Sequence, residues 1–127
     1  MSRINKSPSL RLGRLANQIK RDLSRIISSE VKDPRVGIIT ITDVLLSNDY
    51  KHAKIYFTTL VDDELSIKNT LLGLTKSASF LRLKLSKCIV IHSLPYLRFI
   101  YDKSAIDAIT LSKLIDNVNF SKINSTP

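Results

Sequence analysis

The sequence is poor in almost everything that catalysis requires: one cysteine, two histidines, three isolated glycines and no tryptophan in 127 residues. A single thiol, Cys88, cannot close an internal disulfide, and its apolar neighbours Ile89, Val90 and Ile91 predict a buried structural side chain. Gly13, Gly37 and Gly73 each stand alone, which excludes a glycine-rich phosphate loop. His52 and His92 have no second histidine or cysteine at metal-ligand spacing, so neither a metal nor another cofactor is expected. Asp43 interrupts a strand pattern and Asp102 closes one. With no nucleophile-base pair and no paired carboxylates, both read as capping or pairing groups, and no catalytic residue is predicted. No 18 apolar residues run together, and the opening "MSRINKSPSLRLG" has no apolar run of signal-peptide type. The expectation is a cytoplasmic protein that does not enter a membrane.

Acidic residues are also scarce. Eleven Asp and Glu face twenty Lys and Arg, a formal charge of +9, so the molecule carries a strong positive field suited to a polyanionic partner. The hydrophobic fraction of 43% suits one globular domain. We expect that domain over residues 8–118, with 1–7 and 119–127 as flexible tails.

Ser7 before Pro8 fits a helix N-cap with proline in the first helical position, and the helical pattern runs on to Val31. At about 100° per residue, Leu12, Leu15, Ala16, Ile19, Leu23, Ile26 and Ile27 form one apolar stripe. Arg11, Arg14, Gln18, Arg21 and Arg25 fall within roughly 80° of one another on the opposite side. Asp22 and Glu30 lie off that stripe. A merely solvated face tends to alternate sign, so this one reads as a binding ridge. Pro34 in "KDPR" stops the helix, and Lys32 and Arg35 at the elbow extend the ridge.

Two strands are predicted from Val36 to Leu46 and from His52 to Thr59, joined by the turn formers of "SNDYK". In the second, Ala53, Ile55 and Phe57 share one face while His52, Lys54, Tyr56 and Thr58 share the other, the alternation of a sheet covered on one side. Asp62, Asp63 and Glu64 favour a helix start. Ile67, Leu71, Leu74, Ala78, Leu81 and Leu85 then recur at helical spacing, but the small, backbone-competing Ser77, Ala78 and Ser79 make a bend cheap there and predict two shorter helices. Lys76, Arg82, Lys84 and Lys87 form a second basic cluster. Short extended runs over Cys88 to Ile91 and Leu97 to Tyr101 follow. A C-terminal helical segment is then expected, with Ser104 or Asp102 as cap and Ile106, Ile109 and Ile115 as its apolar face. This order makes a small two-layer α+β domain, with helices on one face of a three-stranded sheet.

Three stretches in this order carry a resemblance: "GRLANQIKRDLSRIISSEVKDPR", "ITITDVLLSNDYKHAKIYF" and "SASFLRLKLSKCIVIHSLPYLRFIYDKS". From about Arg11 to Leu114 the chain resembles the ribosome-binding factor A family. The resemblance implies a type II KH-like topology, α-β-β-α-kink-α-β, in which an Ala-x-Gly kink replaces the Gly-x-x-Gly loop. Here Ser77, Ala78 and Ser79 stand at the kink, His92 stands where many members have arginine, and Tyr96 replaces a common glutamate. It further implies a non-enzymatic maturation factor, monomeric when free. Its partners would be the free small ribosomal subunit and its rRNA; it would assist late 5′-end processing, with importance for growth in the cold. A general KH-like RNA-binding module is the alternative, and the missing Gly-x-x-Gly loop, which clamps single strands, argues against it. A helix-turn-helix DNA binder conflicts with the strands between residues 36 and 60. A membrane-surface helix lacks tryptophan, and its apolar stripe is needed by the sheet.

Overall fold

The apolar stripe of the first helix decides how the sheet is covered. In the computed structural model, which describes residues 8–89 and 93–104, helix α1 (Pro8–Glu30) turns Ile19, Leu23 and Ile26 inward. Strands β1 (Ile39–Leu46) and β2 (His52–Thr59) form an antiparallel hairpin; helix α2 (Glu64–Ser86) then crosses over to β3 (Tyr96–Tyr101), which pairs parallel to β2. The sheet order is β1-β2-β3. A parallel neighbour cannot be reached by a tight turn, and α2 supplies the long crossover. The expected segments 1–7, the C-terminal helix and the tail 119–127 lie outside the described residues, as does His92.

Ala53, Ile55 and Phe57 of the central strand are fully buried against Leu74, Leu81 and Leu85 of α2 and the α1 stripe. The register of β1 against β2 shifts between Ile41 and Asp43. That bulge lets Ile41 and Val44, three residues apart, both face the core, which strict alternation forbids. The hairpin loop is closed by Ser47 N–H donating to the His52 carbonyl at 2.9 Å, with Tyr50 at φ 62°.

Four expectations need correction. Helix α2 runs unbroken through Ser77, Ala78 and Ser79. Leu74, Ala78, Leu81 and Leu85 keep one line along the packed side, and no glycine there takes positive φ, so packing rewards the uninterrupted helix. Strand β1 begins at Ile39 rather than Val36, because Val36 is drawn into a turn whose N–H donates to the Asp33 carbonyl at 3.0 Å. Cys88 is exposed rather than buried. It and Ile89 belong to the turn closing α2, both donating to the Leu85 carbonyl, and there Ile89 takes the inward place. No strand therefore begins at Cys88, and the rest of that expected run falls outside the described residues.

The Asp33–Pro34–Arg35 elbow lies directly on Gly73 of α2. A Cβ at Gly73 would stand 2.6 Å from Val36 Cγ2 and 3.4 Å from Arg35 Cβ, while Thr70 Oγ1 donates to the Arg35 carbonyl at 3.4 Å. Glycine inside a helix costs about 1 kcal/mol relative to alanine, and here the close approach explains it.

Leu23→Ala is expected to lose about 2 to 5 kcal/mol in denaturant unfolding, since the side chain has no exposed area. Two glycine variants should move in opposite directions. Gly13→Ala, with nothing within 4 Å of the new methyl, should gain up to about 1 kcal/mol. Gly73→Ala should lose about 1 kcal/mol net, because overpacking against the β-branched Val36 outweighs the propensity gain. Equal shifts in both would show that the elbow yields freely.

Candidate nucleic-acid interface

The ridge is carried by the side of α1 turned away from the sheet. Arg11, Arg14, Arg21 and Arg25 are all exposed. Among the described residues the ion pairs are Arg35 with Asp33 and Lys84 with Glu30, so no ridge arginine is neutralised by a carboxylate. A row of such side chains on a rigid helix presents donors to successive phosphates at little reorganisation cost. Lys20, off the ridge, is used internally: its Nζ donates to the Thr42 carbonyl at 3.1 Å.

The second helix extends this surface selectively. Arg25 Nη2 donates to Cys88 Sγ at 3.2 Å, which sets the C-terminal part of the ridge beside the end of α2. Lys84 Nζ lies 3.2 Å from Glu30 Oε2, tying the two helices together, and the exposed Lys87 caps α2 next to Cys88. At about 100° per residue Lys76, Lys84 and Lys87 fall on one side of α2, whereas Arg82 points nearly opposite. Arg82 is occupied there. Its Nη2 donates to the Leu94 carbonyl at 2.7 Å, its Nε reaches the Leu94 and Pro95 carbonyls at 3.2 Å, and its guanidinium lies 4.4 Å from the Tyr96 ring centroid. The expected cluster of four is thus three lysines toward the ridge and one arginine that clamps the loop entering β3.

The elbow cations also differ. Lys32 is exposed. Arg35 closes a ring on Asp33, with Nε to Oδ1 at 2.9 Å and Nη2 to Oδ2 at 2.5 Å, and its own N–H adds a third bond to Oδ1. The Arg35 side-chain bonds, then its backbone N–H, hold the Asp33 carboxyl at about 2, with a weaker push from Lys76, and the Arg35 guanidinium is raised in return. Lys76 is exposed on α2 three residues beyond Gly73, the residue against which the elbow sits.

The open face of the sheet offers a further basic and aromatic surface. His52 and Lys54 of β2 pair with Tyr96 and Arg98 of β3, and the His52 and Tyr96 rings lie 6.1 Å apart. Sequence reasoning misses Arg98, although the alternation of Tyr96, Arg98 and Ile100 opposite the buried Phe99 is a signal that could have found it. Among the described residues no group of three or more His, Cys, Asp or Glu is placed to hold a metal ion.

Comparison with known proteins gives concordant results. The sequence model of the ribosome-binding factor A family matches residues 11–115. A ribosome-binding factor A from an Azoarcus species is 47% identical over 104 residues, covering 82% of this chain and 82% of the relative. The crystal structure of ribosome-binding factor A from Thermus thermophilus superposes with a TM-score of 0.66 at 25% identity, covering 73% of this chain and 97% of that one. A homology model of the Thermus thermophilus factor, fitted into a cryo-EM map of its complex with the 30S particle, gives a TM-score of 0.58 at 26% identity, covering 69% of this chain and 91% of that one.

The Asp33 ring has a measurable signature. Its folded pKa of about 2 lies below the ordinary 3.8, so the folded state binds fewer protons than the unfolded chain as the pH approaches that range. The stability it contributes is full above about pH 4 and lost as pH falls toward 2. Carboxyl NMR titration should give a midpoint near 2 for Asp33, returning toward 3.8 in Arg35→Ala. A wild-type midpoint near 3.8 would mean that the ring is open in solution.

Proposed function

The chain belongs to the ribosome-binding factor A family, and from that premise we propose that it is a ribosome maturation factor that binds the free small ribosomal subunit through the outer face of α1. The observation that carries the contact surface is the row of Arg11, Arg14, Arg21 and Arg25, exposed and without carboxylate partners among the described residues. Lys32, Lys76, Lys84 and Lys87 continue that surface at the elbow and the end of α2. Arg35 and Arg82 shape it from behind, the first through Asp33 and the second through the loop before β3. The complex of the Thermus relative with a 30S particle supports the same partner here.

On this reading the α-β-β-α-β order is a KH-like scaffold in which the uninterrupted α2 replaces a nucleotide-clamping loop. A binder without that loop reads phosphates and shape rather than splayed bases. Its work is to hold a late rRNA conformation while the 5′ end is processed, a step whose dependence on the factor grows in the cold. It does so in the cytoplasm, as a monomer when free and with no chemical step of its own. No helix among the described residues is long and apolar enough to cross a membrane.

Sedimentation should find the protein with free small subunits and not with large subunits or joined ribosomes. For the triple variant Arg14→Ala, Arg21→Ala, Arg25→Ala, affinity for the small subunit should fall. The slope of log affinity against log salt should flatten by roughly 0.7 to 0.9 for every phosphate that the variant no longer neutralises. Thermal unfolding of the same samples should shift little, since exposed substitutions usually change stability by less than about 0.5 kcal/mol. An unchanged affinity and slope in the folded triple variant would move the contact surface off α1, and equal binding to all particles would reduce it to charge alone.

A further inference from the structure

At the opposite end of α2 from Lys84 and Lys87, the surface changes character. Ile38 is 71% exposed, Leu60 72%, Val61 58% and Leu65 67%. Leu45, Leu72 and Leu83 are exposed as well, but these four are gathered at the β2–α2 connection and the residue hydrogen-bonded to it, and such a cluster marks an interaction surface. They are also held in place. Leu60 N–H donates to the Ile38 carbonyl at 3.0 Å, Thr59 Oγ1 donates to the Val61 carbonyl at 2.7 Å, and Asp63 caps α2 by accepting from Ser66 N–H at 2.6 Å. The β2–α2 connection is therefore a fixed rim, with the order that a docking surface needs before its partner arrives.

The charge around these side chains is the reverse of the ridge. From Thr59 to Ile67 the chain carries Asp62, Asp63 and Glu64 and no cation, in a molecule of formal charge +9. All three carboxylate residues are exposed, and Lys68, a turn beyond Glu64, is the first cation on that helix. A 23-residue helix is roughly 34 Å long, so this acidic and apolar end stands far from the lysines at the other. Phosphate is repelled here, and so is a second copy of the same patch meeting itself across a two-fold axis.

We propose that Ile38, Leu60, Val61 and Leu65, with their acidic rim, form a docking surface for a basic protein segment that carries apolar side chains. The inference rests on the small-subunit reading for where the segment is met: on the protein component of the particle whose rRNA the ridge holds. The two surfaces then divide the work. The ridge supplies salt-sensitive attraction to any phosphate-rich site, and the far end selects a place where a basic protein lies within about one helix length of the rRNA.

The test uses the full chain with a benzophenone amino acid in place of Val61, bound to purified free small subunits and irradiated. The expected product is a nuclease-resistant, protease-sensitive adduct to a protein of the particle. An adduct to rRNA, to the chain itself or to a second copy, or none while the protein co-sediments, overturns the proposal. In parallel, Leu60→Ser with Val61→Ser, and separately Asp62→Lys, should weaken binding to intact small subunits by about fivefold or more. Neither should weaken affinity for protein-free small-subunit rRNA, and the added charge of Asp62→Lys can only strengthen it, whereas the ridge triple variant weakens both. Full affinity of the patch variants for subunits, or equal loss on bare rRNA, also overturns it. If the unsubstituted protein is not held by small subunits at all, the maturation-factor reading fails and this inference fails with it. That result is distinct from a bound protein whose Val61 position finds no protein neighbour.

Discussion

The close approach of the Asp33–Pro34–Arg35 elbow to Gly73 is the constraint on which the arrangement of this molecule depends. Where the Cβ of any other residue would stand 2.6 Å from Val36, α2 leaves room for the chain that joins α1 to β1. Pro34 ends the helix and the Asp33–Arg35 ring keeps the reversal tight enough to fit that gap. With the elbow seated, the end of α1, the start of β1 and the middle of α2 are fixed relative to one another. The Lys84–Glu30 pair and the Arg25–Cys88 contact then act between helices already in place. Each such exposed pair is worth little by itself, and the buried stripe of Ile19, Leu23, Leu74 and Leu81 does most of the holding.

Much of this was legible in the residues because it is written in periodicity. The stripe of α1 and the alternation of β2 each predict which side chains are buried, and Ala53, Ile55 and Phe57 are buried accordingly. What periodicity does not encode is competition between local preference and packing. Ser77 and Ser79 lower the cost of a bend, yet the line through Leu74, Ala78, Leu81 and Leu85 is worth more when the helix stays whole. Cys88 sits in an apolar string and is nonetheless exposed, because the turn after α2 allots the inward position to Ile89. The bulge between Ile41 and Asp43 has the same origin: two apolar side chains at the wrong spacing are both buried by slipping the register.

The basic residues show a similar division. Sequence counts them alike, but the structure sorts them by what else they touch. Lys20, Arg35 and Arg82 end on carbonyls or carboxylates of their own chain, where their charge stabilises a local geometry. Arg11, Arg14 and Arg21 meet no carboxylate partner among the described residues, and their helix holds them in a line. In a positive surface built this way the charge is not committed to the fold, which uses other cations. That separation is why neutralising the ridge and destabilising the core are experimentally independent operations.

The parallel pairing of β2 with β3 bears on how the protein is made. Thr59 and Tyr96 are separated by all of α2, so the third strand can join only after a distant stretch of chain has left the exit tunnel. The hairpin and α1 are made of contacts nearer in sequence, and until β3 has been synthesised one edge of β2 has no partner strand. Closing a loop of that length carries an entropy that grows only slowly with its size, and a crossover that folds as a helix reduces it further. Completion of the sheet, with Arg82 on the Leu94 and Pro95 carbonyls, is the pairing that the order of synthesis permits last among the three strands.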